Sequence, residues 1–286
     1  MLNPNDAEGF TVRHSFSRAV RRRAVLASLA LAAAAAVLIA TTPAGTRAAS
    51  EPPTIAAAAD LQFALTEVAG LFERETGRSV KLAFGSSGNF ARHIRQGAPF
   101  EVYLSADEDY VLRLAEEGFT RDEGTLYAVG RLAIMVPHGS PLEADGTLED
   151  LRAALDDGRL VKFAIANPEH APYGRRAEEA LRHAGLWERI QNRLVLGENV
   201  SQAAQFATSG STQGGIVAYS LALSPKVSRL GTFELIPEDS HESLRQRMVL
   251  LKGAGGTAER FYEFVQQPAA RAILREHGFV LPGEPA

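Results

Sequence analysis

The 286-residue sequence contains no cysteine. It can therefore form no disulfide, carry no thioether-linked lipid and build no zinc site of the cysteine type. Catalytic signatures are missing too. There is no G-x-S-x-G elbow, no P-loop and no G-x-G-x-x-G. The seven His are dispersed, with no pair at i, i+4. No nucleophile and base can be named together, so the chain reads as a binding protein and not as an enzyme. An exported hydrolase on a similar scaffold is the rival class. Nor is there a surplus of positive charge, the formal net charge being −4.

What is present begins with the N-terminus. Arg13, Arg18 and Arg21-Arg22-Arg23 precede residues 24–40, which are apolar except for Ser28. Pro43, Gly45 and Thr46-Arg47-Ala48 follow. Basic start, apolar stretch and small residues, in that order, mark a secretory signal. Seventeen residues rich in Ala would barely span a bilayer, which favours a cleaved signal over an anchor. Residues 1–48 are thus expected to be removed, leaving a periplasmic protein. Removing them takes away six Arg and two acidic residues and leaves 24 basic against 32 acidic, a balance of −8. Such a surface argues against nucleic acid, whose phosphates call for basic patches. It also means that any captured anion is held by local geometry.

The remaining chain alternates short apolar runs with helical patterns. Strands are expected at 54–58, 79–84, 101–105, 131–137, 162–166, 193–196, 215–218, 233–236 and 248–251. Helices are expected at 60–75, after 85–88, and at 107–118, 147–157, 173–184, 199–209 and 257–276. This order implies an α/β protein with mostly parallel sheets. Two doubly wound lobes fit the length, forming a clamshell crossed by two extended strands near 125–137 and 230–250. The expected division is 49–130 with 236–286 as the first lobe and 131–235 as the second.

In open α/β sheets ligands sit beyond the carboxyl ends of the strands. A helix that starts there offers unpaired N–H groups and a partial positive charge, and so binds anions without Lys or Arg. Four starts stand out: Ala59-Asp60, Ser86-Ser87-Gly88, Tyr173-Gly174 and Asn199-Val200-Ser201. In Gly85-Ser86-Ser87-Gly88 the glycines allow close backbone approach and the hydroxyls add donors. Taken alone, that stretch is as readily a turn with a serine N-cap. His170 reads as a solvent-exposed loop residue, and Asp239-Ser240-His241 as a loop between strands.

Several segments together resemble the periplasmic molybdate-binding proteins of ABC transporters. They are Ala58-Ala59-Asp60-Leu61, Gly85-Ser86-Ser87-Gly88 with Ala91-Arg92, Gly97-Ala98-Pro99-Phe100 with Leu104-Ser105-Ala106-Asp107, Asn167-Pro168 through Ala171-Pro172-Tyr173-Gly174, Glu198-Asn199-Val200, Gly215-Ile216-Val217, Pro237 to His241 and Gly278-Phe279. The resemblance runs from about Thr54 to Leu281. It implies a clamshell that holds a dehydrated oxyanion, molybdate or tungstate, by neutral hydrogen bonds. It implies no cofactor, and molybdenum only within its oxyanion. The implied partner is the membrane permease of an ABC importer, and the implied state is a monomer.

By that resemblance Ala59 and Asp60 match ligand positions of the first helix, Ser87 the second-helix serine, Tyr173 a tyrosine used in one branch, and Val200 a backbone donor. Ser86 lies beside Ser87 at the same start. The other branch uses a tyrosine after Gly-Ile-Val, where this chain has Ala218. Asp60 departs from the family's usual Ser, Thr or Asn. A carboxylate about 4 Å from a dianion is repelled even at high dielectric. Asp60 would then either cap its own helix or accept a proton from the ligand. Monohydrogen phosphate carries such a proton; molybdate, tungstate and sulfate do not. A phosphate or sulfate receptor is therefore the alternative within this class.

Overall fold

The structure is a computed structural model that describes residues 51–284. The expected secretory signal lies outside the described residues.

Among the described residues ten strands form two five-stranded sheets. The first contains β1 (Thr54–Ala58), β2 (Lys81–Gly85), β3 (Phe100–Ser105), β4 (Thr125–Gly130) and β10 (Leu244–Leu250), in the order β2-β1-β3-β10-β4. The second contains β5 (Leu132–Pro137), β6 (Phe163–Ala166), β7 (Leu194–Gly197), β8 (Gly215–Ala218) and β9 (Gly231–Leu235), in the order β7-β6-β8-β5-β9. Each sheet is parallel apart from one inserted strand. β10 runs antiparallel to β3 and β4, and β5 runs antiparallel to β8 and β9. Both odd strands belong to the connections between sheets, so each enters its sheet against the direction of the strands laid down by β-helix-β units.

Helices cover the sheets. They are α1 (Gln62–Thr76), α2 (Ser87–Arg95), α3 (Glu108–Glu116), α4 (Glu149–Asp157), α5 (Pro172–His183), α6 (Val200–Thr208), α7 (Gly256–Val265) and α8 (Pro268–Glu276), with short helical turns between them. The apolar positions of α1 face inward: Leu65, Val68 and Phe72 are fully buried. Phe72 meets Phe261 and Phe264 of α7 edge to face, each at 5.3 Å, a geometry that aromatic rings prefer. The single helix expected over 257–276 is in fact two. Pro268 sits at the start of the second, where its missing N–H costs nothing, and it ends the first.

The sheets are joined twice. β4 passes into β5 with only Arg131 between them, as an extended crossing. The return, from β9 to β10, is not extended throughout: a 3-10 turn at Glu238–Ser240 interrupts it. The strand expected at 248–251 begins four residues earlier, at Leu244. Its first half, Leu244-Arg245-Gln246-Arg247, alternates in burial because the chain lies against β4 there.

This arrangement places four chain ends side by side. β1, β2, β6 and β7 each lead at their carboxyl ends to a helical start: the 3-10 turn Ala59–Leu61 ahead of α1, then α2, α5 and α6. Local chemistry fixes three of them. Ser86 caps α2 by accepting from Asn89 N at 3.3 Å, and Asn199 caps α6 by accepting from Gln202 N at 3.1 Å. Pro172 opens α5 at its first turn.

Candidate oxyanion site

The four starts converge on one cavity of about 10 Å³, close to the room that one water molecule needs. Ala58, Ala59, Asp60, Gly85, Ser86, Ser87, Ala106, Ala171, Pro172, Tyr173, Asn199 and Val200 line it. All six residues singled out from the sequence, Ala59, Asp60, Ser86, Ser87, Tyr173 and Val200, are therefore brought together. No Lys or Arg is among the lining residues. Whatever enters meets hydroxyl-bearing residues, helix starts and Asp60, in a setting where each of these six side chains is buried.

Ser87 is the first residue of α2 and is 1% exposed. Its Oγ accepts from Ala106 N at 3.0 Å, which leaves its own hydrogen free to be donated. Its carbonyl accepts from Tyr103 Oη at 2.8 Å, so both ends of the residue are held. Ser86 is placed differently. Its hydroxyl donates to the His170 carbonyl at 2.9 Å and lies 2.8 Å from His170 Nδ1. Gly88 N donates to the same carbonyl at 2.9 Å. Since α2 follows a strand of the first sheet and His170 precedes α5 of the second, these bonds clasp one lobe to the other. The expectation of an exposed His170 is thus corrected: its side chain is only 17% exposed, because the other lobe covers it. Sequence could not display that, since the covering residues lie 84 positions away.

More bonds join the lobes nearby. Asn89 Nδ2 donates to Glu198, and Ser201 Oγ lies 3.0 Å from Ala59 O. Arg175 lies 3.6 Å from Asp107 and stacks over the Tyr110 ring at 5.1 Å. Ala58, Ala59 and Ala106 of the first lobe also pack into the apolar cluster of the second.

Asp60 is 1% exposed, and its carboxylate is turned inward, where the backbone N–H groups of Asp60 and Leu61 favour its charged form. Its Oδ2 accepts from Tyr173 Oη at 3.0 Å and from Gln246 Nε2 at 2.6 Å. Tyr127 Oη in turn donates to Gln246 Oε1 at 2.7 Å. Ser220 Oγ secures the Asp60 carbonyl at 2.9 Å. Burial pushes the Asp60 carboxyl up to about 6, against the lowering pull of the Gln246 and Tyr173 hydrogen bonds. Burial and the nearby Asp60 charge raise the Tyr173 and Tyr127 phenols well above their usual range, so both remain donors. Gly130 makes room for this network: a Cβ there would lie 2.2 Å from Tyr173 Oη and 2.6 Å from Gln246 Nε2. Gln246, Tyr127 and Gly130 were not apparent from sequence. Gln246 stands between two arginines, and its complete burial arises only when β10 is inserted between β3 and β4.

Two α/β lobes joined by two crossings, closing on a small cavity at their helix starts, define a two-lobed solute-binding protein. The chain belongs to the bacterial extracellular solute-binding protein family, whose profile matches residues 53–280. It is 37% identical over 228 residues to the molybdate-binding protein ModA of Rhodobacter capsulatus, covering 79% of this chain and 86% of that one. With ModA of Escherichia coli K12 it shares 31% identity over 233 residues, covering 80% and 88%. The fold superposes on the periplasmic molybdate-binding protein of Azotobacter vinelandii with a TM-score of 0.72 at 30% identity, covering 80% of this chain and 99% of that one. A sulfate-binding protein from Mycobacterium tuberculosis, at 15% identity and a TM-score of 0.66, shares the fold alone.

Proposed function

We propose that this chain is an extracytoplasmic receptor that captures molybdate, and with it tungstate, and hands it unchanged to the membrane permease of an ABC importer. The observation that carries the reading is the convergence of four helix starts, two from each lobe, on one small cavity with no Lys or Arg in its lining. Such a site suits a compact, dehydrated oxyanion, because helix N-termini supply donors and positive potential without a counter-charge. It suits an organic acid or a polyamine poorly. The Rhodobacter, Escherichia and Azotobacter relatives named above are molybdate-binding proteins, which supports the same ligand here. No helix among the described residues is long and apolar enough to cross a membrane. The same reading includes export behind the signal expected over residues 1–48 and a free periplasmic monomer.

The proposed anion contacts are the Ser87 hydroxyl and the backbone N–H groups at Ala59-Asp60, Tyr173 and Val200. A ligand touching both sets of helix starts favours the closed clamshell, since it gains contacts that the open form lacks. Donors cannot separate molybdate from sulfate by charge, both being dianionic tetrahedra. The fixed spacing of the starts must separate them by size. Titration calorimetry with four anions should therefore give tight, mutually competitive binding of molybdate and tungstate, with sulfate and phosphate much weaker. Phosphate binding above molybdate would overturn the reading and make Asp60 the acceptor of a ligand proton.

A further inference from the structure

The two oxygens of the Asp60 carboxyl are served unequally. Oδ2 accepts two donors, from Tyr173 and Gln246. Oδ1 is buried and has no partner among the described residues. Asp60 also lines the cavity. An unpartnered carboxyl oxygen on the cavity wall can, when protonated, donate its hydrogen to an acceptor in the cavity. The oxygens of a tetrahedral dianion are such acceptors.

The groups that face Asp60 supply hydrogen-bond donors and no cation: besides Tyr173 and Gln246, the backbone N–H groups of Asp60 and Leu61 favour its charged form. Tyr173 reaches it from α5, and Gln246 reaches it from β10. Tyr127 of β4 reaches Gln246, and Tyr103 of β3 reaches the carbonyl of Ser87. Ser220 bonds only the Asp60 backbone carbonyl. Among the described residues no Lys, Arg or His makes a hydrogen bond or ion pair with its carboxyl. An ionised Asp60 would thus stand beside the ligand with hydrogen-bond donors but no cation to oppose its charge.

We infer that Asp60 binds the oxyanion as a neutral acid, donating a proton from Oδ1 to a ligand oxygen, so that capture of an unprotonated dianion takes up one proton. The inference rests on the proposed oxyanion reading and adds a pH-dependent ligand contact to it. It also removes the conflict that a carboxylate would create in such a cavity, without requiring a protonated ligand. The raised affinity of the buried carboxyl for protons, with its midpoint at about 6, acts in the same direction. A bound dianion raises that midpoint further. Affinity is then fully present below about pH 6 and falls as pH rises through the interval between the free and bound midpoints. One proton taken up means a tenfold loss per pH unit in that interval.

Titrating the mature chain with sodium molybdate at pH 6, 7 and 8, each in two buffers of different ionisation enthalpy, reads both quantities. The expected result is uptake of close to one proton at pH 8, with affinity falling about tenfold from pH 7 to pH 8. Asp60→Asn keeps the shape and donates through its amide at every pH. Its affinity should be flat across this range and should exceed that of the unaltered chain at pH 8. Molybdate binding with no proton uptake and no pH slope would overturn the role of Asp60 while leaving the receptor reading intact. Absence of molybdate binding at every pH, in a folded chain, would overturn the receptor reading itself. Tight phosphate binding without proton uptake would show Asp60 acting as an acceptor instead.

Discussion

Gly88→Ala should weaken molybdate binding by between about thirty- and a hundred-and-fifty-fold, roughly 2–3 kcal/mol, while the protein remains folded. Gly88 is the second residue of α2, and alanine is at least as good a helix former there. The obstacle lies across the cleft. A Cβ on Gly88 would sit 2.6 Å from the His170 carbonyl oxygen and 3.0 Å from its Cα, both backbone atoms of the other lobe. The lobes would have to part by several tenths of an ångström. That loosens the bonds from Gly88 N and Ser86 Oγ to the His170 carbonyl, each contributing about 0.5–1.5 kcal/mol. It also moves two helix starts away from the other two. Thermal unfolding should be unchanged or slightly raised, because the penalty falls on closure and not on either lobe. Wild-type affinity in Gly88→Ala would refute the clasp.

Ser87→Ala should cost about 1.5–3 kcal/mol of binding, or roughly ten- to a hundredfold in affinity, by removing a hydroxyl that donates to a charged acceptor. It should also lower stability by about 1–3 kcal/mol, because the buried Ala106 N–H loses the acceptor it has at 3.0 Å. The two losses are separable, one by calorimetry and the other by denaturant unfolding. Val200→Ala is the contrast. Its proposed contribution is the backbone N–H at the start of α6, which the substitution leaves in place, so its affinity should change little. An unchanged affinity in Ser87→Ala would remove the hydroxyl from the site.

The site was legible in sequence wherever its chemistry is local. Ser86 and Asn199 are N-caps, Pro172 is a first-turn proline, and Gly88 permits close approach; each reports its role within a few residues. The order of strands and helices carried the two-lobed α/β fold for the same reason. What sequence hid is non-local. Gln246 looks like a surface residue between Arg245 and Arg247 until β10 is seen threaded between β3 and β4. His170 looks exposed until α2 of the other lobe covers it. The antiparallel course of β5 and β10 follows from how the chain crosses between lobes, a property of the tertiary path and not of either strand's composition. The break at Pro268 follows from the proline itself, which ends a helical pattern, while the apolar periodicity on both sides led to a single expected helix over 257–276.

Asp60 is the residue at which the sequence reading needed the structure most. Two roles were open to it, capping its own helix or accepting a ligand proton. The structure turns its Oδ2 toward Tyr173 and Gln246 and leaves Oδ1 bare. Tyr173 is thereby engaged with Asp60 through its hydroxyl, so its side chain acts on the cavity through that carboxyl while its backbone N–H stays at the start of α5.

The central claim is that one tetrahedral oxyanion sits between the helix starts of the two lobes. Crystals of the mature chain grown with molybdate, measured above and below the molybdenum absorption edge, test it directly. The account predicts a single anomalous peak in the cavity bounded by Ala59, Ser87, Tyr173 and Val200, surrounded by oxygens within hydrogen-bond reach of Ser87 Oγ and the Val200 N–H. A molybdenum peak lodged elsewhere, or an empty cavity at saturating molybdate, would contradict it.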